Sequence, residues 1–197
     1  MSKIIRFFFF SILFCFGMVS AFAQQSGSFS WILGLQNERT GDLVSFSAPV
    51  KSSTGERFRL VINPVVNCYC YIVIESSDGN EAGIIYTGSL KGGGIWHSTV
   101  IELTPPKGSE SIFVVVSRSE QKDLYQRITA FKSNPGPTQK RAMMNEIFLI
   151  RNKVSQYREV PPAPLLMGGT IRGDQEKNQG LVYSGLDTYV KVISIEH

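Results

Sequence analysis

Apolar and polar positions alternate most regularly between Glu56 and Ser117, in five strand-like runs separated by turn residues. Phe58, Leu60 and Ile62 alternate with Arg57 and Arg59, so one face of this strand is buried and the other wet. Asn63-Pro64 ends the run, because proline offers the ladder no backbone donor. In Cys68–Glu75, Cys68, Cys70, Ile72 and Ile74 share one face, and Tyr69, Tyr71 and Val73 share the other. A strand apolar on both faces is expected inside a sheet rather than at its edge. Ser76-Ser77-Asp78-Gly79-Asn80 predicts a hairpin, since Asp-Gly tolerates the positive φ of a tight turn, and Ala82–Tyr86 returns antiparallel. After the Lys91–Gly94 loop, the pattern predicts a strand over Ile95–Leu103, a turn over Thr104–Gly108 and a buried strand over Ile112–Ser117. Upstream, Phe29–Leu35 and Leu43–Val50 are strand candidates on either side of a polar turn at Asn37–Asp42.

The period changes after Ser117. Glu120–Phe131 reads as a short helix with Leu124, Ile128 and Phe131 inward, ended by Asn134-Pro135-Gly136-Pro137. Thr138 is placed to cap a second helix reaching about Val154, whose Met143, Ile147, Ile150 and Val154 recur at helical spacing. Leu181–Tyr183 and Thr188–Ile195 are the closing strands. The fold expected is mainly β: one antiparallel sandwich-like domain over residues 24–197, with its core at 29–117, a two-helix insertion at 120–154 and closing strands at 181–195. Between helix and closing strands, Val160–Gly173 is too long and proline-rich for a tight connection. Its apolar knot, Leu165, Leu166 and Met167, either docks on a partner or folds back onto the domain.

Composition changes this picture mainly at the N-terminus. Lys3 and Arg6, the apolar run Phe7–Val19 and Ala21-Phe22-Ala23 match a secretory signal peptide ending at residue 23. The run is shorter than the roughly 20 residues of a membrane-spanning helix, and no later segment has that length and apolarity, so no span is expected after cleavage. The formal net charge of +4 includes Lys3 and Arg6, so the mature chain would lie two charges nearer neutrality. A chain so nearly neutral gives no case for nucleic-acid binding, which shows a clustered basic face. Export places the mature protein in the periplasm or outside the cell, with Cys68 and Cys70 as its remaining cysteines.

Candidate chemistry is sparse. Cys68 and Cys70 point the same way from one strand, as a redox or metal pair would. Their Cα atoms are nevertheless expected about 6.5–7 Å apart, at the far edge of disulfide range, and buried packing explains them better. His97 would need a nucleophile and an orienting acid before it could act as a base, and neither it nor His197 has metal-ligand spacing. Gly92-Gly93-Gly94 lacks the following helix of a phosphate loop, and Asp78 beside Glu75 is explained by its turn. No catalytic, cofactor or metal residue is assigned. Trp31, Tyr86 and Trp96 are candidate ligand contacts, provided that their rings are exposed together.

The stretch Glu56–Ser117 resembles the bacterial domain-of-unknown-function family 4384. The resemblance is carried by Gly55-Glu56-Arg57-Phe58, by Cys68-Tyr69-Cys70-Tyr71 with the Ser77-Asp78-Gly79 turn, and by Pro105-Pro106-Lys107-Gly108-Ser109-Glu110 before Ile112–Ser117. At Ile85-Tyr86-Thr87 the chain departs from the family's Leu-Phe-Pro-like end. The resemblance implies an immunoglobulin-like sandwich in an exported or envelope protein, acting as a binding or assembly module. The function expected is therefore non-enzymatic binding of envelope or periplasmic proteins. The alternatives are a small-ligand or glycan binder, or a hydrolase or redox enzyme using His97 or the Cys68/Cys70 pair.

Overall fold

The computed structural model describes residues 29–154, 165–166, 179–185 and 187–197. In chain order the strands are β1 (Phe29–Asn37), β2 (Leu43–Val44), β3 (Val50–Lys51), β4 (Arg57–Pro64), β5 (Cys68–Glu75), β6 (Ala82–Leu90), β7 (Trp96–His97), β8 (Ile101–Glu102) and β9 (Ser109–Ser117). Helices α1 (Lys122–Ser133) and α2 (Pro137–Val154) follow, then β10 (Leu165–Leu166), β11 (Gln179–Gly185) and β12 (Thr188–Glu196). The protein is a β-sandwich with a helical insertion. One sheet runs β10-β11-β1-β4-β7, with β2 also on β1 and β8 also on β4; the other runs β3-β12-β9-β5-β6. All pairings described are antiparallel except β3 with β12.

Alternation decides the core. Phe29, Trp31, Leu33 and Leu35 of β1 and Phe58, Leu60 and Ile62 of β4 face Cys68, Cys70 and Ile72 of β5, Ile112, Val114 and Val116 of β9, and Ile193 and Ile195 of β12. The odd–even switch sends Tyr71, Val73, Phe113 and Val115 to the outer face of the second sheet. There they meet Leu124 and Ile128 of α1 and Met143, Met144, Ile147 and Ile150 of α2. β5 is thus buried on both faces, between β9 and β6, as its composition predicts.

Four local expectations are corrected. Leu43–Val50 is not one strand: β2 joins β1, the chain then crosses the sandwich, and β3 joins β12 in the opposite sheet. Phe46, between them, is buried in the inter-sheet core, and Pro49 supplies no ladder donor just before the crossing ends. Ile95–Leu103 is likewise broken into β7 and β8, both on β4. Val61 pairs with His97 and Phe58 with Ile101, which leaves one extra residue on the longer arm. The buried Ser98 hydroxyl replaces the missing ladder bond there, accepting from the Leu60 N–H (2.9 Å) and donating to the Thr99 carbonyl (2.6 Å). The first helix starts at Lys122 rather than Glu120, and the Gln121 N–H just before it donates to the Tyr71 hydroxyl (2.9 Å). The second starts at Pro137 rather than after a Thr138 cap. Proline suits the first helical position because its missing donor would have no partner there.

Candidate functional site

The three aromatic candidates do not come together as one platform. Trp31 is fully buried in the inter-sheet core, stacked on Tyr183 at 4.9 Å and edge-on to Tyr189 at 5.6 Å. Tyr86 and Trp96 pack on each other at 4.6 Å between centroids, tilted by 56°, and both are half-buried. They belong to β6 and β7, so the pair closes one open side of the sandwich where the two sheets part. A bulge makes this possible. Ile72 pairs with Tyr86 and Val73 with Ile84, so Ile85 is the extra residue, and Ile85 and Tyr86 both turn towards the inner core. The Tyr86 hydroxyl donates to the Ser89 carbonyl (2.8 Å), which together with the bulge blunts β6 as an edge for another strand.

The remaining candidates take structural places. Cys68 and Cys70 are buried and free. Burial pushes the Cys68 thiol up to about 11 and holds the Cys70 thiol well above its ordinary value, so both are protonated at neutral pH. His97 is exposed on β7, and the neighbouring Ser98 hydroxyl is already engaged at both ends. Glu75 pairs with the Lys140 ammonium (3.0 Å), while Asp78 accepts from the Ser76 hydroxyl (2.6 Å) and the Asn80 N–H (2.9 Å). Glu75 and Asp78 therefore serve the helix layer and the hairpin turn. Leu165 and Leu166 form β10 on β11. Their side chains and Met167 lie outside the described residues, as does the expected signal peptide.

One exposed apolar surface escaped the sequence reading. Val65 (62% exposed) and Val66 (41%) sit in the β4–β5 loop, and Ile95 (55%) ends the β6–β7 loop. The two loops are joined: the Gly92 N–H donates to the Asn67 side-chain oxygen (2.9 Å) and the Gly93 N–H to the Pro64 carbonyl (2.7 Å). Gly92 is required by this contact, because a Cβ there would lie 2.6 Å from the Val66 main chain. Gly93 supplies the positive φ (76°) that turns the loop. Val65-Val66 follows a strand-ending proline, so its only sequence signal was two aliphatic residues inside a turn.

No protein-family model matches this chain, and no curated protein matches it. Among the described residues, no three histidine, cysteine or acidic side chains gather to hold a metal, and no helix is long and apolar enough to cross a membrane.

Proposed function

We propose that this protein is an exported, non-enzymatic module that binds or helps to assemble proteins of the cell envelope, through the end of the sandwich where Val65, Val66 and Ile95 are exposed. The observation that carries this reading is the cross-bracing of the two apolar loops by main-chain donors from Gly92 and Gly93. Aliphatic side chains held out in water by a rigid frame gain from desolvation when a partner covers them, and such loops lose little freedom on docking. Exposed apolar groups gathered on neighbouring loops are a candidate interaction surface. The leader Lys3/Arg6, Phe7–Val19 and Ala21-Phe22-Ala23 supports a periplasmic or secreted location, and the resemblance over residues 55–117 supports an envelope setting. The burial of Trp31 and the tilt between Tyr86 and Trp96 weigh against the flat aromatic floor that a glycan binder would use.

A photo-crosslinking residue at position 95, in cells exporting the protein, tests this reading. One discrete envelope protein is expected to be captured from position 95 and not from exposed position 129 on α1. Val66→Asp should abolish capture without moving the unfolding curve. Equal capture from both positions, or capture insensitive to Val66→Asp, overturns the proposal.

A further inference from the structure

At the opposite end of the sandwich, a cleft of about 730 Å³ lies between the β1–β2 turn and the β3–β4 loop, lined by Asn37, Glu38, Arg39 and Ser53 to Arg57. Both walls are fixed before any ligand arrives. The Asn37 side-chain oxygen accepts from the N–H groups of Arg39 (2.9 Å) and Thr40 (3.2 Å), and the Glu38 N–H donates to the Arg57 carbonyl (2.9 Å). In the facing loop, the Gly55 N–H donates to the Leu103 carbonyl (2.7 Å) and the Glu56 N–H to the Ser53 carbonyl (3.0 Å). Behind that loop, the Thr54 hydroxyl meets Nδ1 of His197 (3.2 Å), whose buried ring lies 3.6 Å from the Glu110 carboxylate.

The charges of the cleft are unevenly satisfied. Glu38 is taken by the Arg59 guanidinium through two contacts, which hold its carboxyl below the usual range. The Glu56 carboxylate accepts the Ser52 hydroxyl. Glu56 keeps its charge, since its partner is a neutral hydroxyl, and the two cations of the cleft are held more loosely than Glu38. Arg57 meets Glu102 only at 3.9 Å, with both side chains more than half exposed, and the Arg39 guanidinium meets no acid among the described residues. We infer that this cleft binds a carboxylate of an extended acidic polypeptide segment, gripped between Arg39 and Arg57. A planar guanidinium presents paired donors that match a carboxylate. The cleft is also far larger than a single inorganic anion and within the usual volume range of ligand sites.

The site is distinct from the apolar end, so its test is independent of the proposed function. A hexapeptide of alternating glutamate and glycine, its glutamine counterpart and inorganic phosphate are titrated separately into the exported protein, and the arginine Nε–H NMR signals are followed. The glutamate peptide should shift the Arg39 and Arg57 signals and weaken as salt screens the charges. Arg39→Gln and Arg57→Gln should each lower its affinity about tenfold with an unchanged unfolding curve, as for loss of one partly desolvated charge contact. Silent arginine signals, or equal binding of the glutamine peptide, overturn the site. Phosphate binding as tightly as the peptide overturns the assignment to a polypeptide carboxylate.

Discussion

The two faces of β5 are closed in different ways. Its inner face, Cys68, Cys70 and Ile72, is covered by a second sheet, with apolar side chains interleaving across the gap. Its outer face, Tyr71 and Val73, is covered by α1 and α2. A helix has its backbone groups satisfied internally and makes no ladder with the sheet beneath, so packing and side-chain anchors must fix where it sits. The anchors stand at the rim of the outer layer. Gln121 is bonded to Tyr71, Ser117 and Thr188 at the start of α1. Near the start of α2, Lys140 reaches the Glu75 carboxylate and the Gly79 carbonyl, fastening the helix to the β5–β6 hairpin. The inner core is thus built from non-local pairings, and the outer layer is a continuous segment secured at a few points.

Trp31→Ala should have the largest effect, because it removes the largest fully buried side chain of the inner core. Phe or Trp truncations of this kind cost about 3–5 kcal/mol. Chemical denaturation measures it, and a cost below about 1 kcal/mol would show that this core does not dominate stability. Ile147→Ala, in the outer layer, should cost about 2–5 kcal/mol and carry a different signature. Hydrogen exchange should accelerate in α1 and α2 while the β5 and β9 amides stay protected, as for a unit that opens on its own. Simultaneous loss of protection would merge the two layers into one cooperative unit.

Replacing Cys68 and Cys70 together by alanine sharpens the comparison from the inner side. Loss of two small buried groups should cost roughly 2 kcal/mol and leave partner capture intact. In the unmodified protein, alkylation of both thiols at neutral pH should be far slower folded than unfolded, because burial keeps them protonated. A folded double variant that no longer captures its partner would contradict a packing role.

The smallest effect is expected at Asp78, on the hairpin that α2 grips. Hydrogen bonds from the Ser76 hydroxyl, the Asn80 N–H and the Asn80 side chain lower its pKa from 3.8 to about 2. A depressed carboxyl stabilises the fold above its unfolded value, and that contribution is lost as pH falls through 3.8 towards about 2. Asp78→Asn should be slightly less stable at neutral pH and should lack this part of the acid sensitivity. Equal slopes of stability against pH in that window would remove the turn from the acid response.

How much of this was legible follows from which interactions are local. Side-chain direction alternates within any strand and recurs every turn of a helix, whatever packs against it. The sequence alone therefore determined that Phe58, Leu60 and Ile62 share a face, that β5 is apolar on both sides, and that Leu124/Ile128 and Met143/Ile147/Ile150 form helical stripes. Asp78-Gly79 determined its hairpin for the same reason, since its hydrogen bonds span only neighbouring residues. Other features depend on partners far along the chain, which periodicity does not encode. Leu43–Val50 looks like one strand until its two ends are claimed by β1 and by β12. Trp31 and Trp96 look alike in sequence, but one lies in the middle of a sheet under a second sheet and the other at an open side. Val65, Val66 and Ile95 lie on joined loops because β4–β5 and β6–β7 end side by side, and Arg39 and Arg57 line one cleft because β1 pairs with β4. Which residues share a face is a property of backbone geometry, whereas which faces meet, and which stay open to a partner, was decided by the tertiary pairing of distant strands.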